Sequence, residues 1–467
     1  AIRKTMKRIG ILTAGGDTPA LNATLLGAVH KANECGIELI GLLSGFQALY
    51  RPDVPHLLLN PGLTAIPELD ATRGGTILGS SRTYVDETDP AALATAFERL
   101  KLLNFDGLIC VGGDGTLNGM QPLCECLPTV LAPKTIDNDL GLNYLGEASE
   151  WLREKNDTEL VYTRREVSSD ESNKFALESI VNYVTPGYAT AVFVAADGIH
   201  RVRTTAESHR RIAIVEVMGR HSGYIAVGAS YGQPDIVLIP EVPVDVGSLA
   251  RKIQEICQHQ QHAVIVCGEG IQDAEGNFFG DSRRSSDPAG NHRFAGAAAS
   301  LKQSLLDEIP HSFLRELGGF ADPDTALFTR KVGHTQRGGR PLSFDRYHAT
   351  QLGYHSVEML IGGQSNRVAT LQWNAEDLTF AVDDYDAKVF RDEWGEIHPR
   401  TVHPELYDVV NLDITATAQQ YLQPIFDNAI GADDTEYIRQ SLFDSGNLHD
   451  DYQSVNVKLQ NRIEYLS

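Results

Sequence analysis

Thr135-Ile-Asp-Asn-Asp139 carries two carboxylates two residues apart, directly after the apolar run Thr129–Ala132. A carboxylate within hydrogen-bond reach of an alcohol can accept its proton and turn a weak nucleophile into an effective one. The second carboxylate can then serve a metal ion or the local structure. A lone pentapeptide of this kind is more often an ordinary turn, so its chemistry depends on what lies beside it.

The loop Gly112-Gly-Asp-Gly-Thr116 follows another apolar run, Gly107–Val111. Its glycines let backbone N–H groups come close to a phosphate, and Asp114 can hold a Mg²⁺ ion that bridges nucleotide phosphates. The loop indicates a phosphoryl donor without naming the acceptor, because NAD kinases and lipid kinases could use the same five residues. The alternative is a glycine turn capped by an aspartate.

A third glycine turn, Gly15-Gly16-Asp17, follows the run Arg8–Thr13. It fits either anion binding at the start of a helix or a tight connection between a strand and a helix. The chain contains no Gly-x-x-x-x-Gly-Lys-Ser/Thr motif. We therefore do not expect a P-loop mechanism.

Basic residues gather at two further glycine turns, although the chain has a net charge of −22. A protein this acidic has to concentrate cations locally to hold an anionic ligand. Arg220 lies in Met218–Gly223, where it could neutralise charge on a transferring phosphoryl group. His334 and Arg337 lie in His334–Gly339, where bidentate contacts suit a sugar phosphate. The alternatives are surface ion pairs for the arginines and a structural hydrogen bond for the histidine.

These motifs follow short apolar runs that alternate with stretches of helical periodicity. Continuous apolar strands of this kind predict an α/β fold with parallel sheets covered on both faces. Ligands of such folds bind beyond the carboxyl ends of the strands, which is where most of the motifs lie. The predicted strands are Arg8–Thr13, Gly107–Val111, Thr129–Ala132, Ile212–Val217, Ile236–Ile239 and Ala263–Cys267.

The chain is predicted to contain more than one domain, since 467 residues exceed a typical single unit. A charge-rich stretch, 147–182, is interpreted as an insertion, either a helix pair or a mobile loop. Because it directly follows Thr135–Asp139, we expect the insertion to cover or gate the site. The stretch 371–467 is acidic but keeps aromatic residues, so disorder throughout is not expected. We predict a donor-binding α/β domain at 1–146, completed by about 337–370, and a sugar-phosphate-binding α/β domain at 183–336.

Composition excludes several classes of protein. The negative net charge argues against nucleic acid, whose backbone requires a basic surface. No apolar run approaches the ~20 residues that cross a bilayer, and no signal-peptide pattern is seen near Ala1. The six cysteines have no regular spacing that would indicate disulfides or zinc. We expect a reduced, cytoplasmic protein without a nucleic-acid or membrane partner.

Taken together and in this order, the segments resemble the 6-phosphofructokinase family from Arg8 to about Asn366, apart from the insertion. The resemblance implies two Rossmann-like three-layer domains with mostly parallel sheets and an active site in the cleft between them. It implies direct, in-line transfer of a phosphoryl group to the 1-hydroxyl of fructose 6-phosphate, giving fructose 1,6-bisphosphate. Mg²⁺ is the implied metal cofactor.

The resemblance also assigns roles to individual residues. Asp137 is the general base, Thr135 orients the transferring group and Arg220 stabilises the transition state. Asp114 binds Mg²⁺, with Asp139 as a helper. The implied donor site consists of Gly16, Arg82, Gly115, Thr116, Gly119 and Lys134. The implied sugar-phosphate site consists of Arg211, Met218, Gly219, Glu241, Arg330, His334 and Arg337.

Two of these arginines imply a homo-oligomer, a dimer or a tetramer. Arg211 matches a family arginine that reaches the sugar site of a neighbouring subunit. A second such arginine of the family falls on Phe328, and Arg330 is expected to replace it.

The phosphoryl donor is predicted from two positions that point in different directions. Family members that use pyrophosphate carry Asp at the place of Gly115, where it crowds and repels a nucleotide, and Lys at the place of Lys134. Some ATP-using members combine Gly and Lys, and we take the missing carboxylate as decisive. We predict ATP, with Phe46 either stacking on adenine or serving as a core residue, and pyrophosphate as the alternative donor.

A more remote alternative is a regulatory subunit that binds these ligands without catalysis. The presence of Asp137, Arg220 and Asp114 argues against it, because a protein that only binds needs no general base.

Overall fold

The computed structural model describes residues 6–86, 88–155, 160–165, 174–286, 292–294 and 296–466. The strands are β1 (Arg8–Thr13), β2 (Glu38–Leu42), β3 (His56–Leu58), β4 (Gly107–Gly112), β5 (Thr129–Pro133), β6 (Trp151–Lys155), β7 (Leu160–Arg164), β8 (Ile212–Val217), β9 (Ile236–Leu238), β10 (Ala263–Gly268), β11 (Asp281–Ser286), β12 (His292–Phe294), β13 (Leu327–Lys331), β14 (Arg367–Asn374), β15 (Thr379–Asp386), β16 (Tyr407–Asp408) and β17 (Asp413–Ile414). The helices are α1 (Leu21–Glu34), α2 (Pro90–Leu102), α3 (Asp114–Met120), α4 (Tyr188–His209), α5 (Tyr224–Gly228), α6 (Val246–Gln260), α7 (Ala297–Glu308), α8 (His311–Gly318), α9 (Ser343–Ile361), α10 (Ala416–Phe426), α11 (Ala432–Tyr437) and α12 (Val455–Leu459).

Among the described residues, the first sheet has seven strands in the order β15-β14-β5-β4-β1-β2-β3. The inner strands β14, β5, β4, β1 and β2 run parallel, whereas β15 and β3 pair antiparallel at the two edges. The apolar runs predicted as strands in the first part of the chain are therefore neighbours. Their carboxyl ends lie at the same end of the sheet, where the predicted motifs begin.

Both faces of this sheet are buried. Ile9 and Ile11 of β1 pack in one core with α1 and α9, whereas Leu12 packs with α2 and α3 on the other face. The alternation arises because successive side chains of a strand point to opposite faces. This three-layer arrangement explains why the strands read as continuous apolar runs.

The second sheet has, within the described residues, the order β13-β8-β10-β9 with all strands parallel. Val215 and Val217 of β8 face a core shared with α4 and α10, whereas Ile212 and Ile214 face α6 and α7. The predicted α/β fold with mostly parallel, doubly covered sheets is confirmed. The domain boundaries remain predictions.

The helices α1 and α9 cross at a very short distance on one face of the first sheet. A Cβ atom on Gly27 would lie 1.8 Å from the carbonyl oxygen of Thr350, and one on Gly353 would lie 1.9 Å from that of Thr24. Only glycine leaves room for this approach. Because α1 follows the first glycine turn and α9 follows the last basic motif, the crossing connects those two parts of the chain.

The predicted insertion forms an antiparallel hairpin, β6 and β7, in its described part. The ring of Trp151 stacks on His398 at a centroid distance of 3.9 Å, and Phe175 stacks on His403 at 4.1 Å. The helix-pair interpretation is wrong for β6 and β7, because these residues form extended strands. The stacked rings attach the segment to the C-terminal stretch. Part of the segment lies outside the described residues, and the idea that it covers the site remains a prediction.

The acidic C-terminal stretch is folded in its described part. β14 begins at Arg367, before the predicted boundary at 371, and pairs with β5, while β15 closes that edge of the sheet. Tyr421 and Leu422 of α10 enter the core beside β8. These residues therefore agree with the expectation that the stretch is not disordered throughout. Over the described ranges, no helix combines the length and apolarity needed to cross a membrane.

Candidate active site

Strand ends from both sheets converge on one cleft. β1, β4 and β5 lead into the loops that begin at Ala14, Gly113 and Lys134, while β8 and β10 lead to Arg220 and Glu269. This is the end of the strands at which folds of this class bind ligands. The cleft is lined by Gly15, Gly16, Asp17, Thr18, Arg82, Tyr84, Gly113, Asp114, Gly115, Thr116, Lys134, Thr135, Ile136, Asp137, Asp139, Arg220, His221, Glu269, Arg337 and Pro399.

Buried polar atoms without partners mark this cleft as a ligand site. Among the described residues, the hydroxyl groups of Thr18 and Thr116, Oδ1 of Asp137 and Nε of Arg337 are buried and form no hydrogen bond. Folded proteins satisfy the large majority of such atoms, and each one left unpaired costs about 1–3 kcal/mol. Several such atoms in one cleft indicate a polar ligand that completes them.

In the loop after β5, Thr135 links the backbone of Asp137 to the carboxylate of Asp139. The Thr135 hydroxyl accepts a hydrogen bond from the Asp137 N–H at 3.1 Å and donates one to Asp139 Oδ1 at 3.0 Å. Burial raises the pKa of Asp137, and the positive charges of Arg337 and Arg220 oppose that rise. A buried carboxylate of raised pKa in a cleft, with a free oxygen, is suited to proton transfer.

The carboxylates of Asp114, Asp137 and Asp139 raise one question, which is whether a divalent cation could bind beside them. Burial raises the pKa of Asp139 well above its ordinary range, and the negative charges of Asp114 and Asp137 raise it further. Carboxylate oxygens are the ligands that Mg²⁺ prefers, and a cation would relieve their repulsion. Within the described ranges, no group of three or more His, Cys, Asp or Glu side chains is arranged to hold a metal unaided. Mg²⁺ typically binds one or two carboxylates together with substrate phosphates, so the residues fit a shared ion.

Lys134 and Arg337 enclose the first glycine turn. The Lys134 ammonium donates hydrogen bonds to the carbonyl oxygens of Ala14, at 3.0 Å, and Gly16. A Cβ atom on Gly16 would come within 2.5 Å of Arg337 Nη1, so glycine leaves the space that this guanidinium occupies. Burial and the neighbouring Arg337 lower the pKa of Lys134 to about 8. Two basic side chains from distant motifs therefore meet at this turn.

Tyr84, which the sequence analysis did not single out, covers the glycine face of α3. Its hydroxyl oxygen lies 2.8 Å from the place of a Cβ atom on Gly115, and its Cδ1 lies 2.6 Å from that of Gly119. Phe46 lies 6.1 Å from the Tyr84 ring and is fully buried, which confirms its interpretation as a core residue. Tyr84 is therefore the aromatic side chain that borders the predicted donor site. Its position two residues after Arg82, itself a predicted donor-site residue, is the signal that could have identified it.

The second sheet contributes Arg220, His221 and Glu269 to the cleft. Burial and the negative charge of Asp137 raise the pKa of Glu269 to about 7, against the opposing positive charge of Arg220. Sequence reasoning missed Glu269, although it stands between two glycines directly after the predicted strand that became β10. That arrangement is the same signal that identified the other motifs.

Glu241, the acidic residue predicted in the sugar-phosphate site, is not among the residues that line the cleft. Its Oε1 accepts hydrogen bonds from the N–H groups of Gly223 and Val402, both at 2.8 Å. Glu241 thus fastens the end of the turn after β8 to the C-terminal stretch. Met218 and Gly219 of that turn are buried and do not line the cleft either.

His334 and Arg330 also lie outside the cleft lining. His334 is exposed at the start of the short turn that leads to Arg337. Arg330 is exposed near the end of β13, and its Nη1 donates to the carbonyl oxygen of Thr329 at 2.8 Å. Of the segment His334–Gly339, only Arg337 lines the cleft of its own chain.

Arg211 lies at the opposite end of β8 from Arg220. Its guanidinium is 5.2 Å from the ring centroid of Phe320. Six strand residues separate the two arginines, which corresponds to about 20 Å at roughly 3.3 Å per residue. Arg211 therefore cannot contribute to the cleft of its own chain.

The structure thus unites most, but not all, of the predicted site. The predicted residues that line the cleft are Gly16, Arg82, Asp114, Gly115, Thr116, Lys134, Thr135, Asp137, Asp139, Arg220 and Arg337. The predicted residues outside its lining are Gly119, Arg211, Met218, Gly219, Glu241, Arg330 and His334. The roles of both groups remain predictions.

A family model described as Phosphofructokinase matches residues 8–145 and 180–360, which is most of the chain. The chain belongs to the phosphofructokinase family. It is therefore an enzyme of the 6-phosphofructokinase type. The residues that the phosphofructokinase model leaves unmatched include most of the predicted insertion and everything after residue 360.

Phosphofructokinases with either donor occur among the relatives. The chain is 36% identical over 374 residues to ATP-dependent 6-phosphofructokinase 3 of Streptomyces coelicolor, covering 78% of this chain and 91% of the relative. It is 33% identical over 374 residues to the pyrophosphate–fructose 6-phosphate 1-phosphotransferase of Dictyoglomus thermophilum, covering 79% of this chain and 90% of the relative.

Solved phosphofructokinase structures share the fold at lower sequence identity. The pyrophosphate-dependent phosphofructokinase of Nitrosospira multiformis has a TM-score of 0.67 at 16% identity, and that of Marinobacter aquaeolei has 0.65 at 17%. Each comparison covers 91% of this chain and 92% of the other. The phosphofructokinase fold therefore extends over most of the chain.

Proposed function

We propose that this enzyme transfers a phosphoryl group from ATP to the 1-hydroxyl of fructose 6-phosphate, with Asp137 as the general base. The observation that carries the proposal is the unpaired, buried Oδ1 of Asp137, which shares a cleft with the loop around Asp114 and with Arg220. A base, a glycine loop suited to phosphates and a cation for developing charge are the parts that direct phosphoryl transfer requires.

Each catalytic role follows from the contacts of the side chain. Asp137 takes the proton of the attacking hydroxyl, and the positive charges of Arg337 and Arg220 favour its charged form against the effect of burial. Thr135 holds Asp137 and Asp139 in register and faces the transferring group. Arg220 supplies positive charge where the phosphoryl oxygens accumulate negative charge.

Asp114 would hold Mg²⁺ together with the donor phosphates, and Asp139 would assist. The bound ion would supply positive charge that offsets the negative charge of the donor phosphates. Thr116 supports this assignment, because its buried hydroxyl forms no hydrogen bond within the described part of the chain and lies in the same loop.

ATP is favoured as the donor by residue 115. Gly115 leaves no carboxylate beside the phosphates, and relatives named as ATP-dependent share up to 36% identity. Lys134, which indicates pyrophosphate in the family, is committed here to the carbonyl oxygens of Ala14 and Gly16. Pyrophosphate remains the second candidate, because Lys134 still lines the cleft and one relative carries that name.

The sugar-phosphate site is proposed to need a second copy of the chain. Arg337 reaches the catalytic cleft in its own chain, whereas Arg211 points away at the far end of β8. A role for Arg211 in binding fructose 6-phosphate therefore requires the cleft of a neighbouring subunit. We infer a homo-oligomer, a dimer or tetramer, that works in the cytoplasm.

A donor comparison tests the proposal. Initial rates are measured with ATP or with pyrophosphate at saturating fructose 6-phosphate, and transfer from labelled ATP is followed in a single turnover. The expected result is fructose 1,6-bisphosphate formed faster with ATP. A faster reaction with pyrophosphate would favour the second candidate, a pyrophosphate-dependent enzyme. If neither donor gave any phosphoryl transfer, the alternative of a regulatory subunit that binds without catalysis would be favoured.

A further inference from the structure

Arg400 is a buried arginine that lies outside both stretches matched by the family model. Only 3% of its surface is exposed. Its guanidinium donates hydrogen bonds to the carbonyl oxygens of Asn138, at 2.7 and 3.2 Å, of Asn182, at 2.6 Å, and of Val181, at 3.3 Å. Within the described ranges, each of its side-chain hydrogen bonds ends on a backbone carbonyl.

These bonds hold the loop that carries the proposed base. Asn138 stands between Asp137 and Asp139, and its carbonyl oxygen accepts two bonds from the Arg400 guanidinium. The next carbonyl oxygen, that of Asp139, accepts the backbone N–H of Arg400 at 2.6 Å. One residue therefore fixes two successive peptide groups of the catalytic loop.

The side chain of Asn138 is held as firmly as its backbone. Asn138 is fully buried with a φ of +56°, in the left-handed region. Its Nδ2 donates to the hydroxyl of Tyr421 at 2.6 Å, and its Oδ1 accepts the N–H of Thr185 at 2.9 Å. Tyr421, like Arg400, belongs to the C-terminal stretch, so two residues of that stretch converge on one position of the loop.

The chemistry of Arg400 fits this role better than that of a neutral residue. Burying a cation is unfavourable unless hydrogen bonds satisfy it. A planar guanidinium with five donors can bind several carbonyl oxygens in fixed directions, which an ammonium cannot. Its ring contact with Tyr224, at 5.0 Å, restricts the guanidinium further.

Pro399, the residue before Arg400, lines the cleft itself. The following residues bind the loop after β9, since the N–H of Val402 donates to Glu241. The segment 399–402 therefore spans from the wall of the cleft to the loop after β9 and passes along the loop that carries Asp137.

We propose that Arg400 is a positioning residue that fixes the peptide groups around Asp137 and so sets the orientation of the base. The proposal rests on the proposed role of Asp137. Displacement of a reacting group by about 1 Å can lower a rate about 100-fold. The C-terminal stretch is then part of the catalytic machinery and not an appendage to it.

The test compares Arg400→Met with Arg367→Met in the full-length protein. Arg367, in β14, is a partly buried arginine that binds the side chain and the carbonyl oxygen of Asp384, in the edge strand β15. We expect Arg400→Met to lower kcat about 10- to 100-fold, with the Kd for fructose 6-phosphate changed less than threefold. Arg367→Met should keep kcat within twofold, and Arg400→Lys should recover part of the loss.

Equal kcat values for Arg400→Met and the wild type would overturn the proposal. An equal loss of kcat in Arg400→Met and Arg367→Met would also overturn it, because it would reflect general destabilisation. Should Arg400→Met not fold, Tyr421→Phe removes the hydroxyl that binds Asn138 while keeping the ring. We expect Tyr421→Phe to lower kcat severalfold, and an unchanged kcat would count against the proposal.

Hydrogen exchange separates this proposal from the proposed reaction. If the wild type transfers no phosphoryl group to fructose 6-phosphate, the proposed function fails while the positioning role can still be examined. Arg400→Met should then increase amide exchange in a peptide covering residues 135–142 and leave the α1 peptide unchanged. Unaltered exchange in 135–142 would overturn the positioning role.

Discussion

The guanidinium of Arg337 lies against Gly16, so that a Cβ atom on residue 16 would come within 2.5 Å of Arg337 Nη1. The predicted consequence is that Gly16→Ala displaces Arg337 without unfolding the protein, since the end of a flexible side chain can move. We expect the apparent affinity for fructose 6-phosphate to fall at least severalfold, while the melting temperature changes little. Steady-state kinetics and thermal denaturation measure the two effects.

Gly198→Ala is the matched control for this prediction. Gly198 lies within α4, where an added Cβ atom would meet only Val332 at an ordinary distance of 3.8 Å. The change should preserve activity and add about 0.5–1 kcal/mol of stability, because alanine favours helix over glycine. Equal kinetic effects of the two substitutions would contradict the assigned contact.

Asp137→Asn should lower kcat about 10²- to 10⁴-fold, as expected for the loss of a general base. Binding of fructose 6-phosphate, measured at equilibrium, should remain within about threefold of the wild type, since the amide keeps the shape of the carboxyl group. Retained kcat would exclude Asp137 as the base.

The dependence of kcat on pH provides a second test of Asp137. The base works only when deprotonated, and burial raises its pKa. The wild-type rate should therefore fall as the pH is lowered through that pKa, and the residual rate of Asp137→Asn should lack this dependence.

Gly115→Asp should shift the donor preference away from ATP. We expect the ratio of kcat/KM for ATP to kcat/KM for pyrophosphate to fall about tenfold or more. The added carboxylate repels the nucleotide phosphates. Its Cβ atom would also lie 2.8 Å from the Tyr84 hydroxyl, so the ring has to move. The double variant Gly115→Asp/Tyr84→Ala removes that clash and keeps the charge. If kcat/KM fell equally for ATP and for pyrophosphate in the double variant, the electrostatic explanation would be refuted.

The contribution of His348 to protein stability should decrease as the pH falls from about 6.5 to about 4. His348 is buried beside Phe344 and Phe380, and burial lowers its pKa to about 4. In that pH range the unfolded chain binds a proton at His348 that the folded chain does not bind. Lowering the pH therefore shifts the equilibrium toward the unfolded state. The expected loss is roughly 2–3 kcal/mol at its largest.

Urea denaturation of wild type and His348→Leu between pH 4 and 7.5 checks this pH dependence. The difference in unfolding free energy between the two proteins should become more favourable to the variant toward low pH. A difference independent of pH would show that His348 does not titrate in this range.

The strands and the cleft could be predicted because they depend on local patterns. Runs such as Ile212–Val217 are continuous in sequence, and a glycine-rich or charged turn directly follows each strand that reaches the cleft. The same rule would have identified Glu269, which follows the predicted strand Ala263–Cys267. Glu241 was chosen instead on resemblance alone, and the structure ties it to backbone N–H groups outside the cleft lining.

The part that could not be predicted depends on contacts between distant segments. Arg400 lies more than 250 residues after Asn138, and no local pattern around it indicates its partners. Tyr84 covers α3 only because two loops of the first sheet come together. The local sequence of the hairpin β6–β7 did not distinguish strands from helices. Its packing against the C-terminal stretch, where Trp151 stacks on His398, depends on residues far away in the chain.

The close crossing of α1 and α9 has a consequence for how the width of the cleft is maintained. Gly27 and Gly353 let the two helices touch through their backbones, and these helices follow the loops that contain Gly16 and Arg337. The separation of the two loops is thus determined at a contact remote from any substrate. A larger side chain at either glycine would force the two helices apart and shift the loops before them while every ligand-binding residue stayed the same. Selection for fit can therefore act at positions outside the cleft lining.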